Sequence, residues 1–276
     1  MLTGVAAIAM AIGTAPMFGQ AQDASAVLAE MQKALGGVSK VQAVTTLDAK
    51  GTIRRVTPRG TTETAVALAI QLPDKYMQRT VVSGEGRMTV YRNTGFNGGA
   101  LINVLDAPPN LATAPGLRDR ARMAAAATQT PEERAAQTAR QVLAVKKDFA
   151  RLAFGLFGSS YTAFPLEVGS AGEAESADGT AHIIEARGED NFVVQLFIDT
   201  KTHLPLMMMW TTPGTGAAAD TTIERRTFYS NFKKVDGLSL PHTIRLSVDG
   251  NPTEETTFTE IKINGTIDST TFAAAK

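Results

Sequence analysis

The sequence predicts a mainly β fold of the α+β type: an antiparallel meander interrupted by one helical insertion. Three observations carry this. Strand-length runs of Val, Ile, Leu, Thr and aromatic residues recur between short Gly, Pro, Asn and Asp clusters. Asp236-Gly237 and Asp249-Gly250 sit between such runs and supply the positive φ that tight hairpins require. A stretch of different texture, rich in Ala, Arg, Gln and Glu, separates two β regions at about 115–157.

From the N-terminus, Leu2–Phe18 carries no charge and leads to Gly19-Gln20-Ala21, a small-x-small sequence. This predicts a signal peptide over 1–21, export of the mature chain, and a single domain over 22–276. Asp23 to Gly37 reads as a helix, with Val27, Leu28, Met31 and Leu35 on one face, Asp23 or Ser25 as cap and Gly36-Gly37 as stop. Strands are then expected over Val41–Thr57, Thr64–Leu72, Lys75–Ser83 and Arg87–Asn93, with Gly51 marking a bulge. In the insertion, Arg118–Ala127 and Pro131–Phe157 read as helical, the second opening on Thr130-Pro131-Glu132-Glu133. Its Val142, Val145, Phe149, Leu152 and Leu156 form one apolar stripe. Gly155 and Gly158, beside Phe154 and Phe157, would let this helix shift as a lid.

Strands return from His182: Phe192–Asp199, Leu204–Thr211, Thr222–Lys234, Leu238–Asp249 and Glu254–Asn264. Leu240, His242, Ile244, Leu246 and Val248 alternate strictly with polar residues. Phe192–Ile198 and Leu206–Trp210 behave differently, being apolar on both faces. Such strands need cover on two sides, which a closed or half-closed barrel interior provides, filled either by side chains or by an apolar ligand. The Met207–Met209 triplet beside Trp210 suits a surface that accepts variable apolar shapes, although ordinary core filling accounts for it too.

No catalytic or metal-binding pattern accompanies these elements. Cysteine is absent, which removes disulfides, thiolate metal sites and Cys nucleophiles together. His182, His203 and His242 lack ligand spacing; His242 reads as a hydrogen-bonded core residue and His203 as an exposed loop residue. Gly169-Ser170-Ala171-Gly172 has the wrong glycine spacing for a nucleophile elbow. Glu132-Glu133, Glu189-Asp190 and Glu254-Glu255 lie at helix starts or turns and read as solvated surface. No glycine-rich phosphate loop joins a strand to a helix. Lys plus Arg equals Asp plus Glu at 27 each, so the chain has no net field to attract nucleic acid. The expectation is a protein without cofactor or metal that binds and does not catalyse.

Certain segments resemble a known family. They are Ala34-Leu35-Gly36-Gly37 with Val41-Gln42-Ala43-Val44, Phe96-Asn97-Gly98-Gly99, Phe197-Ile198-Asp199-Thr200-Lys201-Thr202-His203-Leu204-Pro205, Tyr229 to Pro241, Ile261-Lys262-Ile263-Asn264 and Phe272. Together they are similar to the LolA-like superfamily of periplasmic outer-membrane lipoprotein-sorting proteins, over nearly the whole mature chain. The chain departs from the family in its long alanine-rich insertion and in lacking a Trp soon after Gly98-Gly99. The resemblance implies a strongly curved antiparallel half-barrel with the helical insertion covering its concave face, in a periplasmic, monomeric carrier or chaperone. Its cargo would be lipid acyl chains or an acylated lipoprotein, exchanged with a membrane donor or acceptor protein. The cavity would be lined by Phe192, Val194, Leu196, Met208, Trp210, Phe149, Leu152 and Leu156. An envelope sensor or protein-interaction module on the same fold, with no transported ligand, is the alternative.

Overall fold

The computed structural model describes residues 23–58, 60–84, 86–108, 129–177, 179–214 and 220–273. The expected signal peptide and the Arg118–Ala127 helix lie outside the described residues. Helix α1 (Ala24–Leu35) is capped by the Asp23 carboxylate, which accepts from Ser25 N–H at 3.1 Å, and ends on Gly36. A short helix α2 (Val38–Gln42) follows, where the sequence reading placed the start of a strand. The β-branched Val38 and Val41 favour a strand locally, but Val41 is buried in the main core and tertiary packing decides.

Twelve strands form one antiparallel sheet. They are β1 (Thr46–Thr57), β2 (Gly60–Gln71), β3 (Lys75–Ser83), β4 (Val90–Asn97), β5 (Ala100–Asp106), β6 (Glu167–Ser176), β7 (Gly179–Gly188), β8 (Phe192–Asp199), β9 (Pro205–Pro213), β10 (Thr222–Val235), β11 (Leu238–Val248) and β12 (Asn251–Ile263). Their order is β5-β4-β3-β2-β1-β12-β11-β10-β9-β8-β7-β6, with β5 and β6 at the two edges among the described residues. The meander runs unbroken except where β1 pairs with β12, and where the insertion carries the chain from one edge to the other. Both Asp-Gly hairpins adopt the expected geometry, with Asp236, Gly237, Asp249 and Gly250 all at positive φ.

Helix α3 (Pro131–Phe157) fills the described part of the insertion. Thr130 and Glu133 close a reciprocal capping box at its start, and Gly158 ends it in the left-handed conformation. One side of α3 touches β4 and β5 and the other touches β8 and β9. Strands so far apart in the sheet can meet one helix only because the sheet curves around it. The curvature has a local cause at Gly51 and Gly95, where a Cβ would overlap the neighbouring strand at Thr257 O and Tyr76 O. The result is a mainly β, unclosed half-barrel with α1, α2 and α3 on its concave side.

One large apolar cluster occupies the concavity, with contributions from α1 to α3 and from strands on both arms. The convex face is divided. On the β2–β5 arm, Ala69, Met77 and Ile102 are covered by Phe272 from the final turn, Ser269–Phe272. On the other arm, Ile183, Phe197, Met207 and Phe228 stand directly opposite one another on β7 to β10. The same row continues as Arg245, Glu255 and Arg54, an alternating ladder of charge on β11, β12 and β1.

Candidate ligand site beneath helix α3

The apolar stripe of α3 begins at Val142, directly after the exposed first three turns of the helix. Phe149 is its centre: the ring meets Phe96 edge-on at 5.4 Å and lies 6.0 Å from both Tyr76 and Tyr161. These contacts tie α3 to β3, to β4 and to the chain that leaves the helix. On the opposite arm, Phe192 opens β8 and packs against Phe164 at 4.9 Å. Lys147 reaches from α3 to the turn before β8, bonding the Asp190 carboxylate at 2.7 Å and its backbone carbonyl at 2.8 Å.

All the expected lining residues enter the concave cluster or pack on it. Phe192, Val194 and Leu196 on β8, Met208 on β9, and Phe149 and Leu156 on α3 are buried; Trp210 and Leu152 are half-buried at its margin. The two-sided strands divide as the pleat requires, with Phe197 and Met207 turned to the convex cluster. The lid glycines separate in role. Gly158 is the helix C-cap, whereas Gly155 admits Tyr229, since a Cβ there would overlap the Tyr229 hydroxyl. His242 is buried, with Nδ1 3.1 Å from Leu240 O, as expected of a core histidine. His203 is half-buried, a correction to its exposed reading, because its positive φ folds the β8–β9 loop back. His182 lies 3.0 Å from Glu173.

Several residues that matter here carry no apolar signal. The Arg151 guanidinium inserts between Phe192 and Trp210, 5.1 and 4.9 Å from their rings, and pairs with Asp148 at 2.7 Å. Arg225 on β10 stands directly opposite Trp210, so it shares the concave face, and donates from Nε to Thr212 Oγ1 at 3.3 Å. Asp148 keeps 67% of its side-chain surface open. Partial desolvation beside the sheet raises its carboxyl above the ordinary value, with Arg151 and Arg225 pulling the other way. Burial lowers the Arg151 guanidinium, against Asp148. Burial also raises the Tyr76 and Tyr229 phenols and pushes Tyr161 up to about 12, opposed there by Ser159, so all three stay neutral at physiological pH.

Beside the exposed half of α3 runs an open groove of about 610 Å³. Its walls are Ala135, Thr138, Ala139, Val142, Leu143 and Lys146 of the helix, with Gly99 and Glu189 from the turns on the two arms. Among the described residues no three His, Asp or Glu side chains gather as a metal site.

No protein-family profile matches the chain. No curated protein matches it either. Solved structures do. An outer membrane lipoprotein-sorting protein domain from Vibrio parahaemolyticus matches with a TM-score of 0.50 at 10% identity, covering 90% of this chain and 94% of the other. A LolA superfamily protein from Nitrosomonas europaea matches at 0.50 and 9%, covering 90% and 96%. A DUF1329 family protein from Desulfovibrio piger matches at 0.50 and 7%, covering 91% and 97%. At these identities the likeness concerns the fold: the chain has the LolA-like fold.

Proposed function

We propose that the protein is a periplasmic carrier that holds acyl chains, of a lipid or of an acylated lipoprotein, in the concavity beneath α3. The observation that carries this reading is the composition of that space. A continuous apolar surface from both arms of the half-barrel is roofed by one helix, whose Val142–Phe157 face supplies part of the same cluster. Every CH₂ buried there contributes about 0.8 kcal/mol. The chain must displace the α3 stripe to enter, and losing that packing offsets part of the gain. A carrier needs such a balance, because it must also release its load. The reading includes export by the 1–21 segment and involves no catalytic step.

A second reading, an envelope sensor or interaction module without transported ligand, is favoured by the tightness of the packing. Phe149, Phe192, Val194, Leu196 and Met208 are already at most 3% exposed in this structure.

One experiment separates the two. The protein purified from its native host is examined by mass spectrometry for bound lipid, and then titrated with an apolar fluorophore. A carrier brings acyl-containing molecules and takes up the fluorophore. An empty protein that refuses the fluorophore overturns the carrier reading in favour of the second. The chain has no cysteine, so Lys147→Cys with Asp190→Cys can be bridged by a reducible bismaleimide. Bridging is expected to block uptake and reduction to restore it. Unchanged uptake in the bridged protein would show that α3 is not the gate.

A further inference from the structure

We propose that the mouth of this concavity is a two-arginine site for the anionic head of an amphiphile, a phosphate or carboxylate, with Arg151 and Arg225 as its ligands. The inference rests on the carrier reading and specifies the cargo's chemical class.

Three features of the site support it. A guanidinium carries five N–H donors, and Arg151 uses few of them. Its Nη1 bonds Asp148, while its Nε is buried with no hydrogen-bond partner among the described residues. A buried unpaired donor on a charged group is costly unless something completes it. Arg225, half-buried, donates from Nε to Thr212 and makes no ion pair among the described residues. Second, the local charge is uneven. Asp148 lies under the influence of both arginines, so one carboxylate faces two guanidinium groups. Glu254, which acts on Tyr76 together with Asp148, does not redress this, because it is paired with Arg55 at 2.8 Å. Third, the position suits an amphiphile. Arg151 stacks on Phe192 and Trp210, and both rings belong to the apolar lining or its margin. A head held by the two forks therefore starts its chain on those rings and directs it into the core. Arginine suits this role because its planar fork grips phosphate or carboxylate oxygens in pairs and stacks on aromatic faces, which lysine does not do as well.

The test compares two ligands with one chain, dodecyl phosphate and dodecanol, by calorimetric titration of the full protein, with inorganic phosphate as a third probe. The wild type is expected to prefer dodecyl phosphate by on the order of tenfold in Kd, the scale of one or two charge-assisted hydrogen bonds, and to lose that preference as salt rises. Arg225→Gln should bring the Kd ratio of the two dodecyl ligands close to one. Arg151→Lys, which keeps the charge and loses the fork, should bring it part of the way. Arg225 is half-buried, so its variant keeps the test open if Arg151→Lys fails to fold. A ratio near one in the wild type, or one that Arg225→Gln leaves intact, overturns the head site and leaves the carrier reading standing. If neither dodecyl ligand binds, both readings fall together. Arginine-dependent binding of inorganic phosphate with no gain from the dodecyl chain would mark a free-anion site and overturn the amphiphile assignment.

Discussion

Over Pro131–Gln141, helix α3 has no buried side chain, whereas nine of the residues between Val142 and Phe157 are buried. The two halves share one hydrogen-bond ladder and are stabilised by different physics. The second half is held by packing, with Phe149, Phe154 and Phe157 all buried in the concave cluster. The first half is a run of good helix formers with a capping box, Pro131 at its first turn and Glu132 and Glu133 facing the positive end of the helix dipole. Short helices of that kind are marginal in water, so the first half depends on the second to propagate from. The difference locates the attachment of the roof. Whatever enters beneath α3 must part the Val142–Phe157 face from the sheet, because among the described residues the exposed half buries no side chain.

The largest effect is expected where that face is anchored. Phe149→Ala should cost about 3–5 kcal/mol in urea unfolding, as for a buried aromatic whose neighbours cannot close the gap. A loss below about 1 kcal/mol would show that the packed half is not the anchor. Next comes Gly155→Ala, whose new Cβ overlaps the Tyr229 hydroxyl. Overpacking of that kind costs about 1–3 kcal/mol. Tyr229→Phe removes the opposing oxygen and should return part of that stability. A double-mutant cycle between the two positions that shows no coupling would break the assignment of Gly155 to close approach.

The same contrast explains which parts of the molecule were legible in the sequence. Leu238–Val248 was plain because its alternation and the Asp-Gly pairs on either side state one answer at two levels. The start of α3 was equally plain, since caps are local chemistry. Strand β6 (Glu167–Ser176) was missed, being an edge strand with exposed polar residues and glycines, and so without a buried face to set a period. The last two residues of α2, Val41 and Gln42, are read as the start of a strand because a helix this short shows no periodicity. In the candidate site, the apolar runs announced Phe192, Leu196 and Met208, but not which face each residue takes. Arg151 and Arg225 were invisible. One is a charge on an otherwise mixed helix, the other a charge in a polar strand, and only the β9–β10 register sets Arg225 beside Trp210 and so near Arg151. The Phe149 contact with Tyr76 and Phe96 likewise depends on the curvature that folds one arm over the helix.

The exposed half of α3 gives the smaller effects. Thr130→Ala removes the hydroxyl that accepts from Glu133 N–H at 3.2 Å and opens the capping box. About 1 kcal/mol is expected, but as local fraying: amide exchange should quicken over 131–141 while the global unfolding midpoint stays in place. A matching shift in the midpoint would mean that the two halves unfold as one unit, and the contrast between them would collapse. Acid should act in the same place. Glu132 sits below its ordinary value of 4.5 because its own backbone N–H and the Thr130 side chain bond the charged form. A depressed carboxylate contributes its stabilisation above the unfolded value and loses it as pH falls through the lowered folded value. Exchange protection over 131–141 should therefore hold at neutral pH and decline below about 4.5, and Glu132→Gln should flatten that decline. Protection around Phe149 should not follow it, because there the helix rests on Phe96 and on the Tyr76 and Tyr161 rings, whose phenols stay neutral throughout the acid range.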